Sequence, residues 1–159
     1  MRNADLNDKE LTKAKNAAYR LLTYRPRSRA ELAQKLQDRQ FPAGVIEAVL
    51  DDLVRFGYVN DRQFAEQFAS GRIRLRGFGR RRIEVELRNK GIDRQIINEA
   101  LAGVLDIDAE IDTAKKAAER KLNTMKAVDR EAKYRRLAGF LERRGFSYDV
   151  IRIVLRNTE

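Results

Sequence analysis

Residues 28–50 read SRAELAQKLQDRQFPAGVIEAVL, and the same arrangement returns as GRRRIEVELRNKGIDRQIINEAL over 79–101 and as KYRRLAGFLERRGFSYDVIRIVL over 133–155. In the first copy the apolar positions are Leu32, Leu36, Phe41, Ile46 and Leu50. Each has a counterpart 51 residues later, at Ile83, Leu87, Ile92, Ile97 and Leu101. Each returns again after a further 54 residues, at Leu137, Leu141, Phe146, Ile151 and Leu155. Five positions kept in register through both steps define a threefold repeat. Within a copy the spacing is that of two short helices separated by a bend.

Local chemistry agrees with that register. Ser28-Arg29-Ala30-Glu31 is a capping box, in which hydroxyl and carboxylate satisfy backbone donors at a helix start, and Pro26 stops the helix before it. Pro42 and Gly44 mark the bend of the first copy. Gly91 and Gly145 share one slot, where glycine takes the left-handed conformation that closes a helix, and Gln40 fills that slot in the first copy. The apolar residue after the slot and the isoleucine five positions on have the spacing of a hydrophobic staple, with Asp93 and Ser147 as N-caps in the second and third copies.

A longer helix is expected before each pair: 7–24 with Leu11, Ala14, Ala18 and Leu22; 61–75 with Phe64, Phe68 and Ile73; and 108–122 with Ile111, Ala114, Ala118 and Leu122. The expectation is an all-α chain of three tandem three-helix, helix-turn-helix-like repeats over 1–60, 61–105 and 106–159, forming an elongated, curved array. At the first joint, Gly57 ends one helix, Asn60 or Asp61 caps the next, and Tyr58 packs beneath. The second joint carries Asp106, Asp108, Glu110 and Asp112, acids that suit the dipole at a helix start.

Composition narrows the chemistry. The 159 residues are 43% hydrophobic and 36% charged, with nine glycines and two prolines, which favours helix over a sandwich, a barrel or disorder. Cysteine and histidine are both absent, which removes disulfides, thiol nucleophiles, imidazole bases and the usual zinc ligands. Residues 1–11 lack an apolar signal core and no stretch approaches a membrane span, so a cytoplasmic protein is expected. The formal charge of +10 calls for an acidic partner, nucleic acid before membrane.

The charge is uneven. Residues 1–70 carry twelve basic and ten acidic side chains, whereas 113–159 carry thirteen and six. The densest stretch, GRIRLRGFGRRR over 71–82, holds Arg72, Arg74, Arg76, Arg80, Arg81 and Arg82 without an acid. Glycines around Phe78 allow a tight turn that brings these arginines toward one anionic surface, and the guanidinium fork suits phosphate. Phe78 either stacks on a base or caps the local core. Arginines at the start of a helix oppose its dipole, which argues for a use beyond solvation. Arg25, Arg27 and Arg29 lie at the equivalent bend of repeat one; Lys133, Arg135 and Arg136 lie at that of repeat three, enlarged by Arg143, Arg144, Arg152 and Arg156. Basic patches spaced by a repeat suit a polyanionic or polymeric partner.

Three segments resemble the RecX regulatory family: RPRSRAEL over 25–32, GYVND over 57–61 continuing through Phe64-Ala65, and RRRI over 80–83 continuing through ELRNKGI over 86–92. The third repeat adds FLERRGFS over 140–147, so the resemblance runs from about Ala14 to Leu155. It implies a protein without enzymatic activity or cofactor that binds the RecA nucleoprotein filament within its helical groove. It also implies inhibition of filament growth, strand exchange and ATP hydrolysis. Binding to single- and double-stranded DNA is a second implied property. The expected contacts are Arg25, Arg27, Arg72, Arg74, Arg76, Arg80, Arg81, Arg82, Arg88 and Lys90, on a monomer that binds no membrane. Gln40 in place of glycine and the bulky Phe78 between glycines depart from the family pattern.

An alternative is a sequence-specific helix-turn-helix transcription factor, though Glu47, Asp51 and Asp52 on the third helix oppose entry into a groove. Asp51, Asp52, Asp106 and Asp108 could in principle hold a metal for hydrolysis, and nothing beyond their presence recommends it.

Overall fold

The computed structural model of the chain describes residues 2–126 and 129–158. Met1 and Glu159, the outer ends of the expected repeats, lie outside the described residues. Among the described residues the secondary structure is nine α-helices with no strand: α1 (Arg2–Tyr24), α2 (Arg29–Asp38), α3 (Ala43–Arg55), α4 (Asp61–Arg76), α5 (Arg80–Asn89), α6 (Arg94–Val104), α7 (Ile107–Thr124), α8 (Arg130–Arg143) and α9 (Tyr148–Arg156). They fall three to a repeat, where the apolar spacing predicts. Helix α1 starts before residue 7, because the preceding residues contain no glycine or proline to stop it.

The caps expected at Ser28, Asn60 and Ser147 form, and Asp106 and Asp129 add two more. Ser28 Oγ accepts the Glu31 N–H at 3.0 Å while the Glu31 carboxylate accepts the Ser28 N–H at 3.1 Å, so both halves of the capping box are made. Asp106, Asp129 and Ser147 start α7, α8 and α9 by accepting the N–H of Ala109, Ala132 and Val150. Asn60 accepts the Gln63 N–H at 3.0 Å at the start of α4. The slot after each second helix is left-handed in all three copies, with φ of 65° at Gln40, 73° at Gly91 and 88° at Gly145. A side chain in that conformation costs roughly 1–2 kcal/mol, which glycine avoids at two of the three sites.

At the first joint the buried residue is Val59, at 2% exposure, and not Tyr58, which is 59% exposed. After Gly57 turns through φ 77°, the amides of Tyr58 and Val59 both bond to the Leu53 carbonyl, and the valine enters the core. The Tyr58 ring stands edge-on to Tyr19 at 5.5 Å.

The chain divides into two compact units. One runs to Phe64 and takes in Lys90–Asp93; the other holds Ala65–Asn89 and the chain from Arg94 onward. The first packs α1, α2 and α3 around Ala14, Ala18, Leu32, Leu36, Val49 and Leu50. Alanine on α1 lets α3 approach closely. In the second, α7, α8 and α9 enclose Ala114, Leu137, Leu141, Phe146, Val150 and Val154, while Ile83, Leu87 and Leu101 are fully buried on α5 and α6. Each such large side chain contributes about 1.5–3 kcal/mol by leaving water.

One close approach of two chain segments occurs twice. In the first unit Ser28 Oγ donates to the Lys90 carbonyl at 2.6 Å, and the Asp61 carboxylate accepts the Arg29 N–H at 2.9 Å. In the second, Gly79 N–H donates to the Arg144 carbonyl at 2.8 Å and Arg81 N–H to the Gly145 carbonyl at 3.1 Å. There the Glu110 carboxylate accepts the Arg80 N–H at 3.0 Å. Ser28 corresponds to Gly79 in the repeat register, and Lys90-Gly91 to Arg144-Gly145. A carboxylate from another helix thus meets orphan donors at the starts of α2 and α5, and it offsets the arginines that oppose the dipole of α5.

Candidate functional site

In the first unit two of the expected basic contacts, Arg25 and Lys90, meet one carboxylate. Arg25, at the end of α1, places its two terminal nitrogens 3.4 and 3.2 Å from the Glu31 oxygens and donates to the Pro26 carbonyl at 3.0 Å. Lys90 Nζ reaches the same carboxylate at 3.0 Å. Arg27 is buried, with Nε donating to the Leu21 carbonyl at 3.3 Å, which closes the end of α1. These three side chains hold the bend together.

Partial burial opposes the charge on Glu31, but the hydrogen bonds from Arg25, Lys90 and the Ser28 amide outweigh it and lower the carboxyl from 4.5 to about 2. A carboxyl lowered by folding stabilises the fold above its unfolded value and loses that contribution as pH falls through the folded one. Water reaches part of this cluster and screens it. Glu31→Gln is therefore expected to remove on the order of 2 kcal/mol at neutral pH and to flatten the stability profile between about pH 5 and pH 2. Urea unfolding followed across that range checks it; a parallel profile for the variant would contradict the role given to Glu31.

In the second unit the arginines divide by what they touch. Arg72 Nε lies 2.5 Å from Glu86 and its guanidinium 4.6 Å from the Phe68 ring centre. Arg80 donates to the Leu105 carbonyl at 2.7 Å. Arg82 meets Glu86 at 3.3 Å and the Arg143 carbonyl at 3.2 Å, and it covers the Phe78 ring at 4.2 Å. Phe78 is half-buried beneath that guanidinium. Arg74, Arg76, Arg81 and Arg88 are exposed.

Arg74 and Arg76 enter a cleft of about 410 Å³ with Lys116, Arg120 and Arg144, over the ring of Phe140, and no acid lines it. The last turn of α4 supplies the first pair, where cations suit the negative end of the dipole. Lys116 and Arg120 are four apart on one face of α7, and Arg144 is the C-cap of α8, its guanidinium donating to the Arg76 carbonyl. Burial first, and then the neighbouring charges of Arg82, Arg120 and Arg76, push the Arg144 guanidinium below its ordinary value. The cleft therefore holds uncompensated positive charge, which an anion of several oxygens would neutralise.

Lys116 and Arg120 lie outside the basic groups that the sequence marks, and Arg144 belongs to the third of those groups without being among the expected contacts. The four-residue spacing on α7 was the available signal, and what it lacked was the knowledge that α4 ends beside it. Among the acids weighed for metal binding, Asp51 pairs with Arg29 at 2.9 Å, Asp52 with Lys15 at 2.6 Å, and Asp106 caps α7. Among the described residues no helix is long and apolar enough to cross a membrane.

Fold and site together define a class: an all-helical protein of tandem three-helix domains whose positive charge gathers where helices end. Comparison with known proteins narrows the class to one family. Profiles described as the first, second and third three-helix domains of RecX match residues 14–53, 60–101 and 108–155. The chain is 40% identical to the regulatory protein RecX of Mycolicibacterium vanbaalenii, over 97% of this chain and 89% of the relative. It is 41% identical to that of Mycolicibacterium smegmatis, over 91% of this chain and 80% of the relative. The crystal structure of RecX from Lactobacillus salivarius superimposes with a TM-score of 0.87 at 25% identity, covering 94% of this chain and 97% of that one. The chain belongs to the RecX family of regulatory proteins.

Proposed function

We propose that this protein binds the RecA nucleoprotein filament and modulates it, mainly by inhibiting filament extension, ATP hydrolysis and strand exchange. Membership of the RecX family along nearly the whole chain carries this reading. Accessory binding to single- and double-stranded DNA accompanies it, through the cleft of Arg74, Arg76, Lys116, Arg120 and Arg144. Phosphate groups are suited to that cleft because guanidinium forks and a lysine converge there without an acid. In this reading the protein is a cytoplasmic monomer that works by binding, without catalysis or cofactor, in DNA recombination and repair.

The test is RecA ATPase on single-stranded DNA, titrated with the protein at DNA concentrations in excess of what the protein alone sequesters. Hydrolysis should fall progressively. An unchanged rate under those conditions would overturn the proposal.

A further inference from the structure

The third repeat carries a groove of about 520 Å³ between α8 and α9. Its floor is Ala138, Phe146, Ile151 and Leu155, and its rim carries Tyr134, Tyr148, Arg81, Arg152 and Arg156. Glu142 is the one acid in the lining. The first repeat has the corresponding groove at the corresponding positions, about 250 Å³ and lined by Ala33, Phe41, Ile46 and Glu47. The two differ at the rim.

In the first repeat the rim neutralises itself. Arg29 donates to Glu47 and to Asp51, both at 2.9 Å. In the third repeat the positions of Arg29, Glu47 and Asp51 are held by Tyr134, Arg152 and Arg156. Two acids have become bases, and the base that held them has become an aromatic ring. Arg152 keeps a contact with Asp149 at 3.6 Å, between two largely exposed groups, which stabilises little. Among the described residues Arg81 and Arg156 make no ion pair. Tyr148 stands 72% exposed beside the groove, where the first repeat has Ala43. Charge inversion, a cationic rim in which only Arg152 has a carboxylate partner among the described residues, and an exposed ring around an apolar floor are features that packing within the repeat does not require.

The floor decides what fits. Its four side chains offer no donor or acceptor, so the polar edge of a nucleobase placed there would lose its hydrogen bonds to water without replacement. Leucine or phenylalanine side chains spaced along one face of a helix lose nothing by the same transfer, and the arginine rim favours carboxylates beside them.

We propose that the groove between α8 and α9 docks an acidic amphipathic segment of a partner protein, with its apolar side chains on Ala138, Ile151 and Leu155 and its carboxylates on Arg81, Arg152 and Arg156. This surface shares no residue with the basic cleft, so its failure and that of DNA binding are separable.

The experiment uses the full chain and a fluorescein-labelled helical peptide of about 16 residues, with leucine and phenylalanine at i, i+3, i+4 and i+7 and glutamate elsewhere. An isomer with lysine for every glutamate, and an oligothymidylate, serve as comparisons in fluorescence anisotropy. The acidic peptide should bind and the lysine isomer should not. Arg152→Glu combined with Arg156→Glu should weaken the acidic peptide by roughly tenfold or more, since both lie on the rim and face its charges. The circular dichroism of the pair should match the parent. Tyr148→Ala gives a second, uncharged perturbation that should also weaken binding. Equal binding of the two peptides, an affinity unmoved by the double charge reversal, or loss of the oligothymidylate in place of the peptide would each overturn the proposal, the last by assigning the groove to nucleic acid.

Discussion

Gly145→Ala is expected to destabilise the protein by roughly 3–5 kcal/mol. Two costs combine. Gly145 has φ 88°, a conformation that side chains rarely adopt. A Cβ there would lie 2.4 Å from both the Cβ and the backbone nitrogen of Arg82 and 2.9 Å from its Cα, so backbone would have to move. The approach is close from the other side too, since a Cβ on Gly79 would lie 2.6 Å from the carbonyl of Gly145. Moving the two segments of this crossing apart would break the bonds from Gly79 N–H to the Arg144 carbonyl and from Arg81 N–H to the Gly145 carbonyl, at 2.8 and 3.1 Å. Gly103→Ala is the control. It lies in α6 with nothing within 4 Å of the added carbon, and it should stabilise by about 0.5–1 kcal/mol through helix propensity. Urea unfolding of both variants checks the pair; a loss below about 1 kcal/mol for Gly145→Ala would show that the crossing yields.

The second large effect is on DNA affinity. Replacing Arg74, Lys116 and Arg120 together by alanine should weaken binding to single- and double-stranded DNA by roughly tenfold to a hundredfold near 0.1 M salt. The salt dependence should flatten by about 0.9 in logarithmic slope for each phosphate no longer neutralised on duplex and about 0.7 on a single strand. The three side chains line the cleft without holding backbone, which Arg144 and Arg80 do through the carbonyls of Arg76 and Leu105. Arg80→Ala is accordingly expected to lower stability more than it lowers DNA affinity. Anisotropy titrations over a salt series separate these results, and an unchanged slope in the triple variant would make the cleft a solvated face.

Much of the fold was legible because it is local. The five apolar positions of each copy, the Ser28–Glu31 capping box and the cap at Ser147 act within a turn or two of themselves, and each occurs as its spacing predicts. Even Gln40, which breaks the glycine pattern, takes the left-handed conformation that its slot demands. The joint at 56–61 was less legible: pattern alone placed Tyr58 inward, while the turn at Gly57 selected Val59.

The site was less readable for a physical reason. A run of arginines shows how much charge is present, but not which groups those arginines meet. Arg27 is engaged by the Leu21 carbonyl and Arg80 by the Leu105 carbonyl, while Lys116 and Arg120 join Arg74 and Arg76 from a helix some forty residues further along. Glu110 shows the same limit, because its service to the start of α5 spans thirty residues. The sequence by itself determined the repeat, its helices and its excess of positive charge, since these follow from spacing and composition. Which cations remain open to an anion was decided by tertiary structure alone, because a guanidinium is free or engaged according to the carbonyls and carboxylates that folding brings within about 3 Å of it.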